Sequence, residues 1–124
     1  LTGIEHNELG IIGHGWISGE EKERLMSTCG TLLSPSKWEG LSMSVIEAMA
    51  RGMPVLASKA SEGVFEKSGQ VIDLTATAFS DAMSEMIEVG PWEKMAAAGP
   101  KEAEKYNLER VVLMWGQLYD EVAN

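Results

Sequence analysis

Short apolar runs that alternate with helical patterns constrain the fold of this chain more than any other feature. Candidate strands lie at residues 9–16, 31–34, 53–58 and 70–74. Helical patterns separate the first three runs, at about 19–29 and 42–51. This alternation predicts an α/β fold, a Rossmann-like parallel sheet with helices on both faces. Right-handed crossovers then place the carboxyl ends of the strands along one edge, where ligands bind.

Residues that start and stop helices divide the chain further. Ser18 and Glu21 have the spacing of a capping box, which predicts the start of the first helix. Gly52 and Pro54 predict the end of the second helix, since glycine terminates helices and proline cannot continue them. Pro54 must then stand at the beginning of the following strand.

Closing helices are predicted over about 77–123, where apolar residues recur at helical spacing. Gly90 and Gly99 are each followed by proline and predict breaks between these helices. Asn107 can cap the last helix. The apolar stripe of that helix needs a surface to cover it, and it consists of Leu108, Val111, Val112, Trp115, Leu118, Tyr119 and Val122.

Composition narrows the class of protein. With 44% apolar residues among 124, residues 1–124 can bury the core of a single domain. The net charge of −9 repels phosphate backbones and argues against nucleic acid as the main partner. Cys29 is the only cysteine, which excludes an internal disulfide and favours a cytoplasmic location, and we predict that it is buried. Because His6 and His14 lack partners at metal-ligand spacing, neither a metal nor a cofactor is expected.

Glu47 lies in a helix with apolar or small residues around its whole circumference. A carboxylate in a buried helix is costly unless it is hydrogen-bonded or paired. Ser44 could form a capping box with it, Arg51 could pair with it one turn later, or the helix could be less buried than its composition indicates. The functional alternative is that Glu47 faces the ligand edge and accepts hydrogen bonds from a ribose diol.

The loop before this helix, residues 36–42, follows a strand and leads into the helix N-terminus. Free backbone N–H groups at such a position bind anions. Gly40 would let the backbone approach a bound group closely, and Glu39 could accept hydrogen bonds from sugar hydroxyls. The alternatives are an ordinary turn glycine and a solvated loop acid. Trp16, just beyond a strand end, either stacks on a nucleobase or fills the core.

The stretch over residues 35–55, PSKWEGLSMSVIEAMARGMPV, closely resembles the E-x7-E signature region of family 4 retaining glycosyltransferases. Glu39 and Glu47 have the spacing of that motif. Residues 15–17 resemble the strand end before the family's nucleobase loop, and residues 106–119 resemble its closing helix. The resemblance therefore extends over nearly the whole chain.

The resemblance implies that this chain is the C-terminal, donor-binding domain of a GT-B fold, which has two Rossmann-like domains. Glu39 is then the catalytic residue that contacts the transferred sugar. The implied donor-binding residues are Gly40, Leu41, Ser42, Glu47 and Trp16, with Glu47 on the ribose. The implied reaction transfers a sugar, with retention, from a UDP- or GDP-sugar to an unidentified acceptor without a metal.

Two departures from the family pattern limit what this chain is expected to do. Ser42 stands where many relatives have a second glycine, which makes close backbone approach slightly harder. The family's diphosphate-neutralising Arg and Lys come from a segment that has no match before Leu9. We therefore expect a truncated domain that lacks its first strands and its N-terminal acceptor domain. It should bind the donor without transferring sugar alone, and any peripheral membrane association would depend on the missing part.

Two other classes of protein remain open. A nucleotide-sugar epimerase domain has a similar fold but is not expected to show the pattern that runs from Glu39-Gly40 to Glu47. A non-catalytic nucleotide-binding or interaction module is the second alternative. Its receiver-like form needs clustered aspartates at strand ends, and only Asp73 lies near one.

Overall fold

Three parallel strands with helices packed on them form the centre of the structure. The computed structural model describes residues 7–8, 10–88 and 90–123. Its elements are β1 (Asn7–Glu8), β2 (Ile11–Ile12), α1 (Gly19–Thr28), β3 (Leu32–Ser34), α2 (Met43–Ala50), β4 (Val55–Ala57), a 3₁₀ turn (Lys59–Ser61), β5 (Gly69–Val71), α3 (Ala76–Glu88), α4 (Trp92–Ala103), a second 3₁₀ turn (Glu104–Tyr106) and α5 (Leu108–Ala123). The sheet order is β3-β4-β5, with both pairs parallel. The predicted α/β class is confirmed.

The central strand β4 shows why helices must cover both faces of this sheet. All three of its residues are fully buried, and they alternate between two apolar clusters. Val55 and Ala57 join the cluster that contains the buried residues of α2, whereas Leu56 packs with the buried residues of α3. Burial of the Val55 and Leu56 side chains contributes about 1.5–3 kcal/mol each. The predicted cover of helices on both faces is confirmed.

The sequence predicts a strand at residues 9–16, but the described part of this segment, residues 10–16, does not join the parallel sheet. The described part of this segment contains only the short strand β2, which pairs antiparallel with β1. Gly10, before β2, has a φ of +84°, the left-handed conformation that suits a tight turn. The apolar residues of β2 remain exposed, so this run is not held in the sheet by burial.

The predicted helix starts and stops are only partly correct. Ser18 is the N-cap of α1, but its side chain makes no capping hydrogen bond. The Glu21 carboxylate accepts hydrogen bonds from Arg24 at 2.8 and 3.2 Å instead, so the predicted capping box is wrong. Gly52 adopts a φ of +68° directly after α2, which confirms its role as a terminator.

Helix α4 continues through Gly99 and Pro100, where the sequence predicts a break. A Cβ at Gly99 would lie 2.5 Å from the Met49 carbonyl oxygen, so the backbones of α4 and α2 are in direct contact. Pro100 has no N–H to donate to the Ala96 carbonyl. That carbonyl lies over Gly52, with its oxygen 3.1 Å from the position of a Cβ built on Gly52. The predicted break is wrong because close helix packing outweighs the local preference of the two residues.

Helix α5 has the predicted cap but no cover. The Glu109 N–H donates to Asn107 Oδ1 at 2.8 Å, which confirms the capping role of Asn107. None of the residues of α5 is buried, and the rings of Trp115 and Tyr119 contact one another at 5.9 Å on its surface. The described part of the chain therefore leaves this apolar stripe open. No helix within it is long and apolar enough to cross a bilayer.

A carboxylate on α4 fixes the loop before β5. Glu102 accepts hydrogen bonds from the backbone N–H groups of Glu66, Lys67 and Ser68 at 2.7–3.3 Å, and from Ser68 Oγ at 2.6 Å. Burial is the largest single influence and would raise the pKa of Glu102. The hydrogen bonds from Ser68, Glu66 and Lys67 together outweigh it and lower that pKa below its ordinary value of 4.5.

This lowered pKa predicts how acid acts on Glu102→Gln. The carboxylate stabilises the fold above pH 4.5, and this contribution is lost as the pH falls through the lowered value. At pH 7 the variant should lose only about 1–2 kcal/mol of unfolding free energy, because water partly screens the Glu102 carboxylate and its hydrogen bonds. Urea unfolding of both proteins should show this difference shrink as the pH is lowered below 4.5 and the carboxylate becomes protonated. A difference that stays constant with pH would contradict the role given to the Glu102 carboxylate.

Candidate functional site

Two loops meet at the carboxyl ends of β3 and β4. Ser58 follows β4, and its N–H donates to the Ser34 carbonyl at 3.0 Å. The hydroxyl of Ser58, which is buried, donates to the Ser36 carbonyl at 2.5 Å. The loop at residues 35–42 is thereby fixed to the end of the central strand, at the edge where ligands bind in open parallel sheets.

Glu39 is oriented by its own loop. The Ser36 hydroxyl donates to Glu39 Oε1 at 2.7 Å, and Ser36 is the residue that Ser58 holds. Glu39 itself is exposed, so its second oxygen can accept hydrogen bonds from outside the protein. The Glu39 carboxylate is therefore exposed and also held in place.

Gly40 is not required by the fold. Its backbone lies outside the left-handed region, and a Cβ built on it would meet no atom within 4 Å. Gly52 and Gly99, in contrast, are required by a positive φ or by close backbone packing. Leu41, next to Gly40, is also exposed. The turn itself therefore does not require a glycine at this position.

The N-terminus of α2 begins at this loop and carries no side-chain cap. Ser42 is the N-cap residue and is buried, but its hydroxyl faces the hydroxyl of Ser44 at 3.3 Å instead of a backbone N–H. The first helical bond runs from the Ile46 N–H to the Ser42 carbonyl at 3.2 Å. The preceding N–H groups therefore have no capping side chain, unlike those of α5.

Glu47 pairs with a lysine of another helix. Lys22 Nζ, on α1, lies 2.5 Å from Glu47 Oε2. This oxygen is buried and accepts no hydrogen bond of regular geometry from the described residues, so the contact is an ion pair. Because α2 begins at Met43 without a capping bond, the capping box of Ser44 with Glu47 is excluded.

Arg51 does not pair with the Glu47 carboxylate either. Its Nη2 contacts Glu23 of α1 at 2.5 and 2.6 Å, and its Nη1 donates to the Glu47 backbone carbonyl at 3.0 Å. The hydrogen bond from Arg51 lowers the pKa of Glu23. Two ion pairs therefore connect α1 to α2, and one of them contains Glu47. Helix α2 is also less buried than its composition predicts, since Met43, Ser44 and Ala50 are exposed.

Sequence reasoning missed Lys22 because it is 25 positions from Glu47, and only the packing of α1 on α2 brings them together. Lys37 and Lys59 stand next to the residues that connect the two loops, Ser36 and Ser58. Within the described ranges neither of these two lysines forms an ion pair. The spacing of Lys22, Lys37 and Lys59 in the sequence does not predict where any of them lies relative to the site.

The tryptophans near the loops do not fill the core. Trp16 is 95% exposed, so the alternative that it fills the core is excluded, and Trp38 is 90% exposed. Cys29 is exposed, contrary to the prediction that it is buried, because it lies at the C-cap of a helix with no buried residue. His14 Nδ1 lies 3.6 Å from Glu21 Oε1. Among the residues described, no three His, Cys, Asp or Glu side chains are grouped as metal ligands would be.

The architecture defines the class of protein. The structure matches that of sucrose-phosphate synthase from Thermosynechococcus elongatus with a TM-score of 0.78 and 27% sequence identity. The match covers 89% of this chain and 29% of the synthase chain, so this chain spans less than a third of that relative. The three-stranded parallel sheet of this chain, with helices on both faces, forms a Rossmann-like domain of the GT-B type.

The family follows from the sequence itself. Residues 3–89 match the family model described as glycosyl transferases group 1. This chain belongs to that family of glycosyl transferases. No curated protein matches it.

Proposed function

We propose that this chain is the donor-binding part of a family 4 retaining glycosyltransferase, which transfers a hexosyl group from a UDP- or GDP-sugar to an acceptor. One observation carries the proposal. An exposed carboxylate, an unrequired glycine and an uncapped helix N-terminus follow one another at the carboxyl edge of a parallel sheet. An anionic, sugar-bearing ligand fits that combination.

Each residue of the loop has a distinct role in the proposed site. Glu39 contacts the transferred sugar, and its second oxygen is available because Ser36 holds the first. The backbone near Gly40, Leu41 and Ser42 meets the sugar and the diphosphate. Departure of the nucleoside diphosphate develops negative charge, which the N-terminus of α2 would stabilise.

The nucleoside lies, in this proposal, between α1 and α2. Glu47 accepts hydrogen bonds from the ribose hydroxyls, and Lys22 adds a positive charge beside it. Trp16 lies just before α1 with its side chain exposed, so it is free to stack on the base. Donor binding in this arrangement needs no metal.

Catalysis requires residues beyond this chain in our proposal. The structural match covers 29% of sucrose-phosphate synthase. We therefore place the acceptor site, and further cations on the diphosphate, outside these 124 residues. The chain alone would bind donor in a cytoplasmic setting without transferring sugar.

Gly40→Ala tests the proposal, because it separates ligand binding from folding. The variant should bind UDP-glucose or GDP-mannose about 10-fold more weakly, since a methyl group would stand between the backbone and the ligand. Its unfolding free energy should be unchanged or raised by about 0.4–1 kcal/mol, because alanine restricts the unfolded chain. Calorimetric titration with both donors, and urea unfolding, provide the two measurements.

Gly116→Ala is the matched control, because Gly116 on α5 also has no atom near a built Cβ. It should leave donor affinity unchanged. Equal affinities of Gly40→Ala and the unaltered chain would contradict the proposal that the ligand approaches the backbone at Gly40. If neither donor binds the unaltered chain, a non-catalytic interaction module is the better description.

A further inference from the structure

Lys22 is the only partner that the described residues offer to the Glu47 carboxylate. Glu47 Oε2 is buried against Lys22 Nζ at 2.5 Å, although 30% of the Glu47 side chain is exposed. The exposed part therefore lies on the other atoms of the side chain. The carboxylate has one oxygen held inside the protein, and its second oxygen is left for an outside partner.

The acidic neighbours of Lys22 do not compete with Glu47 for it. Glu21 is bonded to Arg24 at 2.8 Å, and Glu23 is bonded to Arg51 at 2.5 and 2.6 Å. Each of these two carboxylates has an arginine of its own, which forms stronger, forked hydrogen bonds than lysine does. The Lys22 ammonium is therefore directed to Glu47.

The helix alone does not set the plane of the Glu47 carboxylate. The last torsion of a glutamate side chain is broad, so a rigid backbone leaves the two oxygens free to rotate. A charged partner on one oxygen narrows that rotation. Two vicinal hydroxyls that bond one carboxylate need a defined plane, because each hydrogen bond is directional.

We propose that Lys22 is a positioning residue that holds Glu47 Oε2 and so presents Oε1 to the vicinal hydroxyls of the donor ribose. This inference rests on the proposed function. Lys22 does not touch the hydroxyls, and it acts on affinity through the carboxylate. Its removal should therefore weaken recognition of the diol more than recognition of the rest of the nucleotide.

Lys22→Met tests this role with UDP and GDP, each compared with its 2′,3′-dideoxy form. The unaltered chain should bind UDP or GDP more tightly than the 2′,3′-dideoxy form of the same nucleotide, and the diol ratio is the ratio of these two affinities. In Lys22→Met that ratio should fall about 5- to 10-fold, the equivalent of losing about one oriented hydrogen bond. Lys22→Arg should keep most of the ratio, because the guanidinium also pairs with a carboxylate.

Glu23→Gln is the matched control, because it breaks the other ion pair between α1 and α2 and leaves Glu47 paired. It should keep the diol ratio of the unaltered chain. A similar fall of the ratio in both variants would mean that helix packing is responsible, and would overturn the role of Lys22. Circular dichroism melts identify any variant that does not fold.

Other outcomes separate this inference from the proposed function. A loss of affinity in Lys22→Met that is equal for the diol and dideoxy nucleotides would show only a lost positive charge, and would overturn the positioning role. Tighter binding by Lys22→Met would show that Lys22 competes with the ribose for the Glu47 carboxylate, and would also overturn the positioning role. Either result leaves the proposed function intact. Failure of the unaltered chain to bind any of the four nucleotides would overturn both.

Discussion

Alanine at position 47 is expected to weaken binding of UDP or GDP by about 100-fold. The loss corresponds to two hydrogen bonds to a charged acceptor, at roughly 1.5 kcal/mol each. The direction of the change is informative. Removing this carboxylate takes the formal charge from −9 to −8, which by itself would favour an anionic ligand. Weaker binding would therefore reflect lost contacts and not a change in net charge.

Calorimetric titration of Glu47→Ala with each nucleotide measures this effect. Asp81→Ala is a suitable control, because it makes the same change in net charge on α3, which packs on the opposite face of β4 from α2. That control should bind the nucleotide at least as tightly as the unaltered chain. Unaltered affinity in Glu47→Ala would disprove the ribose role, and the ion pair with Lys22 would then be the whole reason for the carboxylate.

Valine in place of Gly99 is expected to cause the largest loss of stability. Even its first side-chain atom would lie 2.5 Å from the Met49 carbonyl oxygen and 3.3 Å from two further backbone atoms of Met49. Backbone atoms cannot rotate away as a side chain can, so α4 and α2 must separate. We expect the unfolding free energy to fall by about 3 kcal/mol or more, at the upper end for overpacking.

Urea unfolding of Gly99→Val measures this loss, and Gly116→Val is the control. Gly116 also lies within a helix, but a Cβ there meets no atom within 4 Å. The control should be neutral or slightly stabilised, because valine is a better helix former than glycine. If the two variants were equally stable, α2 and α4 would not be packed backbone to backbone. Any folded Gly99→Val protein should also bind donor more weakly, because α2 carries Glu47, one of the proposed binding residues.

Local signals were enough to predict the elements that carry the site. The runs at residues 31–34 and 53–58 contain β3 and β4, the run at 70–74 overlaps β5, and the helix predicted over 42–51 is α2. Each is bounded by glycine or proline next to it in the chain. The loop between β3 and α2 is likewise continuous in sequence. Its residues therefore had to lie together at a strand end, however the rest of the chain packed.

Contacts between distant parts of the chain were not predictable in the same way. Gly99 and Pro100 read as a helix break, because their intrinsic preference is local and the Met49 backbone beside them is not. The run at residues 9–16 predicts a strand of the sheet, but within the described residues its short strand β2 pairs antiparallel with β1. Glu102 and its four hydrogen bonds had no sequence signal, since a glutamate on a helix surface looks the same with or without a distant loop to bind.

The sequence by itself determined the α/β class, the approximate positions of β3, β4, β5 and α2, and the loop that bears Glu39 and Gly40, because periodicity, helix terminators and turn residues act over a few positions. The tertiary structure alone decided that Lys22 pairs with Glu47, that Arg51 pairs with Glu23, and that Gly40 has no structural need to be glycine. Such facts depend on how α1 and α2 pack. Burial and charge pairing between helices are properties of the assembled core and not of any one segment.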